Sequence, residues 1–159
     1  MTLTLADCNL VDVVKDVTKV FAASPTGLRA KVSCISMVDE LLATIDREKI
    51  VEAMNILLGN SVKFSPGNCQ IFVNIGRGEG DRASIQVADN SIGIKDEFKA
   101  TAFEPMVGSE GIGLDIVKNI VVAHGGSIRL EDNPGGGTIF FISLPVHPEV
   151  EYVVPEVID

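Results

Sequence analysis

The spacing of apolar residues switches repeatedly between steps of three or four and steps of two, and this alternation restricts the chain to helices layered on a sheet. The stretch "NLVDVVKDVTKVFAA" (9–23) sets apolar side chains at 10, 13/14, 17 and 20/21, with Asn9 as N-cap and Asp12 in the first turn, which predicts an amphipathic helix. "SPTG" ends it, and "LRAKVSCI" (28–35) alternates as a half-buried strand does. Asp46 opens a second helix that runs to about Val62, with Ile50, Ala53/Met54 and Leu57 on its inner stripe, before "SPG" at 65–67 stops it. "CQIFVNI" (69–75) and "ASIQVAD" (83–89) read as strands joined by the hairpin-like "GRGEGDR". A third helix, "LDIVKNIVVAH", closes at Gly125 and Gly126, and "GSIRLED" and "TIFFISL", separated by "NPGGG", form a last antiparallel pair. About five strands and three principal helices, with several hairpin connections, predict an α/β fold: a two-layer sandwich whose mixed sheet carries its helices on one face.

A chain of 159 residues with 46% hydrophobic content is long enough to bury one sizeable core. Its apolar runs are too short to span a bilayer and its N-terminus lacks the basic flank of a signal peptide, so a cytoplasmic domain without membrane contact is expected. Cys8, Cys34 and Cys69 are odd in number, widely spaced and set among apolar neighbours, the pattern of reduced thiols rather than of disulfides or a zinc site. The net charge of −9 argues against nucleic acid and anionic membranes as partners. Any phosphate must therefore be held by local geometry. After Pro145 the segment "VHPEVEYVVPEVID" is acidic and carries Pro148 and Pro155, so residues 1–146 read as the domain and 147–159 as a tail or linker.

Three segments have the residue types of a nucleotide site. "GSEGIGL" brings Gly111 and Gly113 to the start of a helix whose first amides point at whatever lies there, although the same glycines also suit a tight loop against a sheet. "GRGEG" (76–80) is followed by a strand, not a helix, and reads as a turn. In "VADNSIGI", Asp89 closes an apolar strand. Its carboxylate suits the exocyclic amino group of adenine and not the carbonyl of guanine, with Gly93 leaving room for the base and Ile94 packing its face; an Asp-Asn turn is the competing interpretation. On the second helix Asn60 and Lys63 are three residues apart and share a face. A neutral amide oxygen suits Mg²⁺ when phosphates supply the negative charge, and Lys63 adds a point charge for them; a helix cap and a solvated lysine are the plainer alternatives.

In chain order, "LLGNSVKFSPGN", "VADNSIGI", "AFEPM", "GSEGIGLDIVKNIVVAHGGSI" and "NPGGGTIFFISLP" resemble the N box, first glycine box, F box, and second and third glycine boxes of the sensor histidine kinases. The resemblance covers residues 3 to about 146. It implies the ATP-binding catalytic domain of the GHKL superfamily, with the Bergerat fold shared with DNA gyrase, MutL and the heat-shock chaperone ATPases. By the resemblance, Asn60 as the Mg²⁺ ligand and Lys63 as a phosphate contact are the catalytic residues, neighbouring Phe64 also meets the nucleotide, and Asp89 reads adenine. Gly93, Ile94, Gly111, Gly113 and Leu114 form the walls and phosphate loop, and Thr138 assists at the adenine end. The implied cofactors are ATP and Mg²⁺. The implied partner is a histidine-containing dimerisation and phosphoacceptor domain, in the same or another chain, with a response regulator reached indirectly.

The chain departs from the family pattern at several points. Ile56 stands where the pattern has Asn one turn before the metal Asn, Ser91 replaces the first Gly of Asp-x-Gly-x-Gly, and Glu110 stands in place of a small hydroxyl residue. Between Met106 and Gly111 only "VGSE" remains of the ATP lid, without a basic phosphate contact, so Glu110 is expected to compete with the phosphates. His124 and His147 lie at a helix end and in the tail, which leaves the phosphoacceptor to another domain. The expected activity is phosphoryl transfer to a partner histidine. A gyrase-type hydrolase, which needs a general-base Glu where Ile56 stands, is disfavoured. A non-catalytic nucleotide-binding or docking module is the remaining alternative.

Overall fold

A computed structural model describes residues 1–105 and 113–148. In chain order the elements are β1 (Ala6–Asn9), α1 (Leu10–Ala23), a 3₁₀ turn (Gly27–Arg29), β2 (Ala30–Ser36), β3 (Leu42–Ile45), α2 (Arg47–Lys63), β4 (Cys69–Arg77), β5 (Arg82–Asp89), α3 (Asp96–Lys99), α4 (Leu114–Ala123), β6 (Ser127–Asp132) and β7 (Thr138–Pro145). The caps explain where the long helices start. The Asn9 side chain accepts from Val11 N–H, and Asp46 accepts from Lys49 N–H. α4 ends as its two glycines require: Gly125 takes φ +78° and the Gly126 N–H reaches back to the Val121 carbonyl at 3.0 Å.

The main sheet runs in the order β2-β4-β5-β7-β6. β2 and β4 are parallel and the other pairs antiparallel, so the sheet is mixed as expected. One face is buried: Ile71, Val73 and Ile75 of β4, Ala83, Ile85 and Val87 of β5, and Phe140, Ile142 and Leu144 of β7 are nearly inaccessible. They share one core with the inner stripes of α1, α2 and α4. On the other face Phe72 is 50% exposed and Ile35 57%, so the helices occupy one side only. Leu10, Leu57, Leu58 and Ile120 are completely buried, each contributing about 1.5–3 kcal/mol over an exposed side chain.

Three features go beyond the expected elements. β1 and β3 form a separate antiparallel pair, with Ala6 opposite Ile45 and Asn9 opposite Leu42. Asn9 Oδ1 ties the two chain segments together at the Asn9–Leu42 end, accepting from Val11 N–H at 3.1 Å and Leu41 N–H at 3.0 Å. The strand expected from residue 28 begins at Ala30, because Gly27–Arg29 wind into a 3₁₀ turn pressed onto α1; a Cβ on Gly27 would stand 1.8 Å from the Phe21 carbonyl oxygen. His147, for which the sequence suggests no contact, lies with Nδ1 3.3 Å from Thr44 Oγ1, and Thr44 N–H donates to the Val146 carbonyl at 2.7 Å.

All three cysteines are free, and burial pushes each thiol up from its ordinary range. No helix among the described residues is long and apolar enough to cross a membrane.

Candidate functional site

A cavity of about 290 Å³ opens where the C-terminal turn of α2, the end of β5 and the start of β7 converge. α2 contributes Asn60 and Phe64, the β5 end contributes Asp89 and Ser91, and β7 contributes Thr138 and Phe140. The segment after β5 adds Ile92, Gly93, Ile94 and Lys95; Phe98 of α3 and Leu114 of α4 complete the lining. The walls are largely apolar, and one carboxylate lies among them.

That carboxylate, Asp89, is 4% exposed and fixed from three directions. Its Oδ1 accepts from the Ser91 N–H at 3.1 Å and the Thr138 N–H at 3.0 Å, and its Oδ2 accepts from the Ser61 hydroxyl at 2.7 Å. The Ser91 bond is the Asp-Asn turn that the sequence allowed, so turn formation and orientation of the carboxylate coincide in one residue. The Asp89 carbonyl accepts from Asn133 Nδ2 at 2.7 Å, which draws the "NPGGG" turn onto the β5 end. Only glycine fits at 137: a Cβ there would stand 1.9 Å from the Asp89 carbonyl oxygen, and φ is +110°. Gly93, at φ +77°, donates its N–H to Ser91 Oγ at 3.2 Å, while the Ile92 N–H donates to the Phe64 carbonyl and ties this loop to α2.

Asn60 is not the helix cap. The cap is Phe64, whose N–H reaches the Asn60 carbonyl, so the half-buried Asn60 side chain lines the cavity from within the last helical turn. Lys63 is exposed, outside the lining, with its ammonium 5.6 Å from the centroid of the Phe64 ring. Gly113 is the N-cap of α4 at φ +76°, and a Cβ on it would meet Ile56 Cγ2 at 3.0 Å. The α4 N-terminus therefore abuts α2 one turn before Asn60, and Leu114 of its first turn lines the cavity.

Of the residues expected to form a site, Asn60, Phe64, Asp89, Gly93, Ile94, Leu114 and Thr138 surround this one cavity, with Gly113 at its border and Lys63 beside it. Gly111, Glu110 and the "VGSE" lid lie outside the described residues. Sequence reasoning missed Ser61, Lys95, Phe98, Asn133, Gly137 and Phe140. Ser61 carried a signal, because it is a polar residue on the inner stripe of α2 between Leu57, Leu58 and Val62. Phe98 did not, since α3 is a single turn of four residues.

His124 is buried at 1% exposure and spans two helices: its Nδ1–H donates to the Ile120 carbonyl at 2.8 Å and its Nε2 accepts the Asp46 N–H at 3.0 Å. Both ring nitrogens are occupied. Among the described residues no group of three or more His, Cys, Asp or Glu side chains could hold a metal ion.

Comparison with known proteins places this geometry in context. Residues 45–148 match the model of the histidine kinase-, DNA gyrase B- and HSP90-like ATPases. The chain is 36% identical over 152 residues to the alginate biosynthesis sensor protein KinB of Pseudomonas aeruginosa, which covers 91% of this chain and 25% of that protein. It thus spans about a quarter of that relative's length. The fold matches the catalytic domain of histidine kinase ThkA with a TM-score of 0.82 at 22% identity, covering 92% of this chain and 99% of that one. It also matches full-length ShkA in complex with AMPPNP, with a TM-score of 0.80 at 22% identity over 91% of this chain and 32% of that one.

Proposed function

We propose, given that the chain belongs to the histidine kinase-, DNA gyrase B- and HSP90-like ATPase family, that it is the ATP-binding catalytic domain of a sensor histidine kinase and positions Mg-ATP for phosphoryl transfer to a histidine on a separate domain. The observation that carries this is the Asp89 carboxylate, buried in a largely apolar cavity and held by three donors, with acceptor capacity left for an adenine amino group. In this reading the base lies between Ile94 and Leu114, and Thr138 fixes the carboxylate through its backbone N–H. The phosphates extend toward the α4 N-terminus at Gly113, Gly111 is assigned to the same phosphate loop by the sequence motif alone, and Lys63 adds a cation.

Asn60 is the residue suited to Mg²⁺. Its amide oxygen is neutral, and with no acidic cluster beside it among the described residues, the phosphates would provide the remaining oxygens. A bound Mg²⁺ would neutralise charge on the transferring phosphoryl group. Ile56, packed against Gly113, has no proton-accepting atom, so this position cannot activate water, which favours transfer to an incoming imidazole over hydrolysis. His124 is engaged at both nitrogens and His147 follows the last strand, away from the cavity, so the acceptor in this reading is a histidine of a dimerisation and phosphoacceptor domain, in the same or another chain, as the family resemblance implies, and a response regulator follows downstream. By this reading the domain spans 1–146, and the acidic sequence 147–159 is a linker or tail.

Single-turnover transfer of labelled phosphate from ATP to a supplied phosphoacceptor domain tests the reading. Labelling of its histidine supports it, whereas ATP binding without transfer would leave a nucleotide-binding docking module.

A further inference from the structure

We infer that Ser61 sets the base selectivity of this cavity by fixing Asp89 so that a single acceptor position faces the ligand. The inference rests on the reading of Asp89 as the residue that meets the base. Ser61 is 1% exposed and absent from the cavity lining, so it acts through Asp89 as a positioning residue.

The hydroxyl has one proton and two acceptors in reach, Asp89 Oδ2 at 2.7 Å and the Leu57 carbonyl at 3.1 Å. The shorter, charge-assisted bond takes it. Were the proton turned to Leu57, lone pairs of the serine and carboxylate oxygens would face each other at 2.7 Å. Oδ1 is meanwhile filled by two backbone donors, Ser91 N–H and Thr138 N–H. What remains is one lone-pair direction on Oδ2. A 6-amino purine fills it with an N–H. A 6-oxo purine opposes it with its own lone pairs, and a purine with hydrogen at C6 leaves it unpaired. Without the serine hydroxyl, Oδ2 has two open directions and loses the donor that holds it, so water competes for the position that the base must use.

The experiment is calorimetric titration of the full chain with ATP and with purine riboside 5′-triphosphate, which lacks the amino group. The parent, Ser61→Ala and Ser61→Cys are compared. The parent is expected to prefer ATP. Ser61→Ala is expected to weaken ATP on the order of tenfold and the analogue less than about twofold, narrowing the selectivity, with Ser61→Cys between them because S–H is a weaker donor. Equal losses for both nucleotides would assign Ser61 a merely structural role and overturn the inference, as would unchanged ATP affinity. If the parent itself does not distinguish the two nucleotides, the reading of Asp89 fails, and the inference with it.

Discussion

Asn60 lines the cavity with its side chain, whereas Gly137 matters for the lack of one, because it lies against the Asp89 backbone. If Asn60 holds Mg²⁺, then Asn60→Ala should bind ATP equally with and without Mg²⁺, and Asn60→Asp should keep a Mg²⁺ dependence altered by its added charge; calorimetry with and without the ion checks both. Gly137→Ala would put a Cβ on the Asp89 carbonyl in a left-handed conformation. Strain of about 1–3 kcal/mol and a similar overpacking cost should lower the urea midpoint and weaken ATP binding together. An unchanged midpoint would contradict that close approach. The chemical character of both neighbourhoods was legible in sequence: Asp89 ends an apolar strand and Asn60 ends an apolar helix. The local donor to Asp89, the Ser91 N–H, was legible as an Asp-Asn turn, but the bonds from Ser61 and Thr138 were not, because these residues reach it from 28 and 49 residues away, a distance that no local pattern encodes.

At the scale of elements, α1, α2, α4 and the strands of the main sheet were readable because they are long enough to show their period, and most end in Pro, Gly or Asn chemistry. β1, β3 and α3 are four residues each, too short for alternation or a helical stripe to develop. Their stability comes from tertiary contact, as the Lys99 ammonium joining Asp96 of α3 to Asp132 of β6 illustrates. His124 is the clearest case of a partly legible role. Its place at a helix end was legible, and the ring donates to the Ile120 carbonyl. The same ring also accepts from Asp46, the N-cap of α2, so it joins the end of one site helix to the start of the other. Replacing it with Leu should leave the Asp46 N–H unpaired and cost about 1–3 kcal/mol. Urea unfolding measures this, and a cost near zero would mean that the bond contributes nothing net.

For the whole molecule, the mixed sheet with helices on one face followed from the order of elements, whereas the strand order β2-β4-β5-β7-β6 did not. Hydrophobic pattern says which face of a strand is buried but not which strand lies beside it. That order brings the β5 end next to the β7 start and beneath the last turn of α2, and so creates the cavity. Family membership and cavity together support an adenine-nucleotide site, and their common point is the Asp89 carboxylate. The direct test is the calorimetric affinity of the parent and Asp89→Asn for ATP and GTP with Mg²⁺. The account predicts that the parent binds ATP well ahead of GTP and that Asp89→Asn loses about 1.5–3 kcal/mol for ATP. Equal ATP affinity of parent and variant, or equal affinity of the parent for both nucleotides, would contradict it.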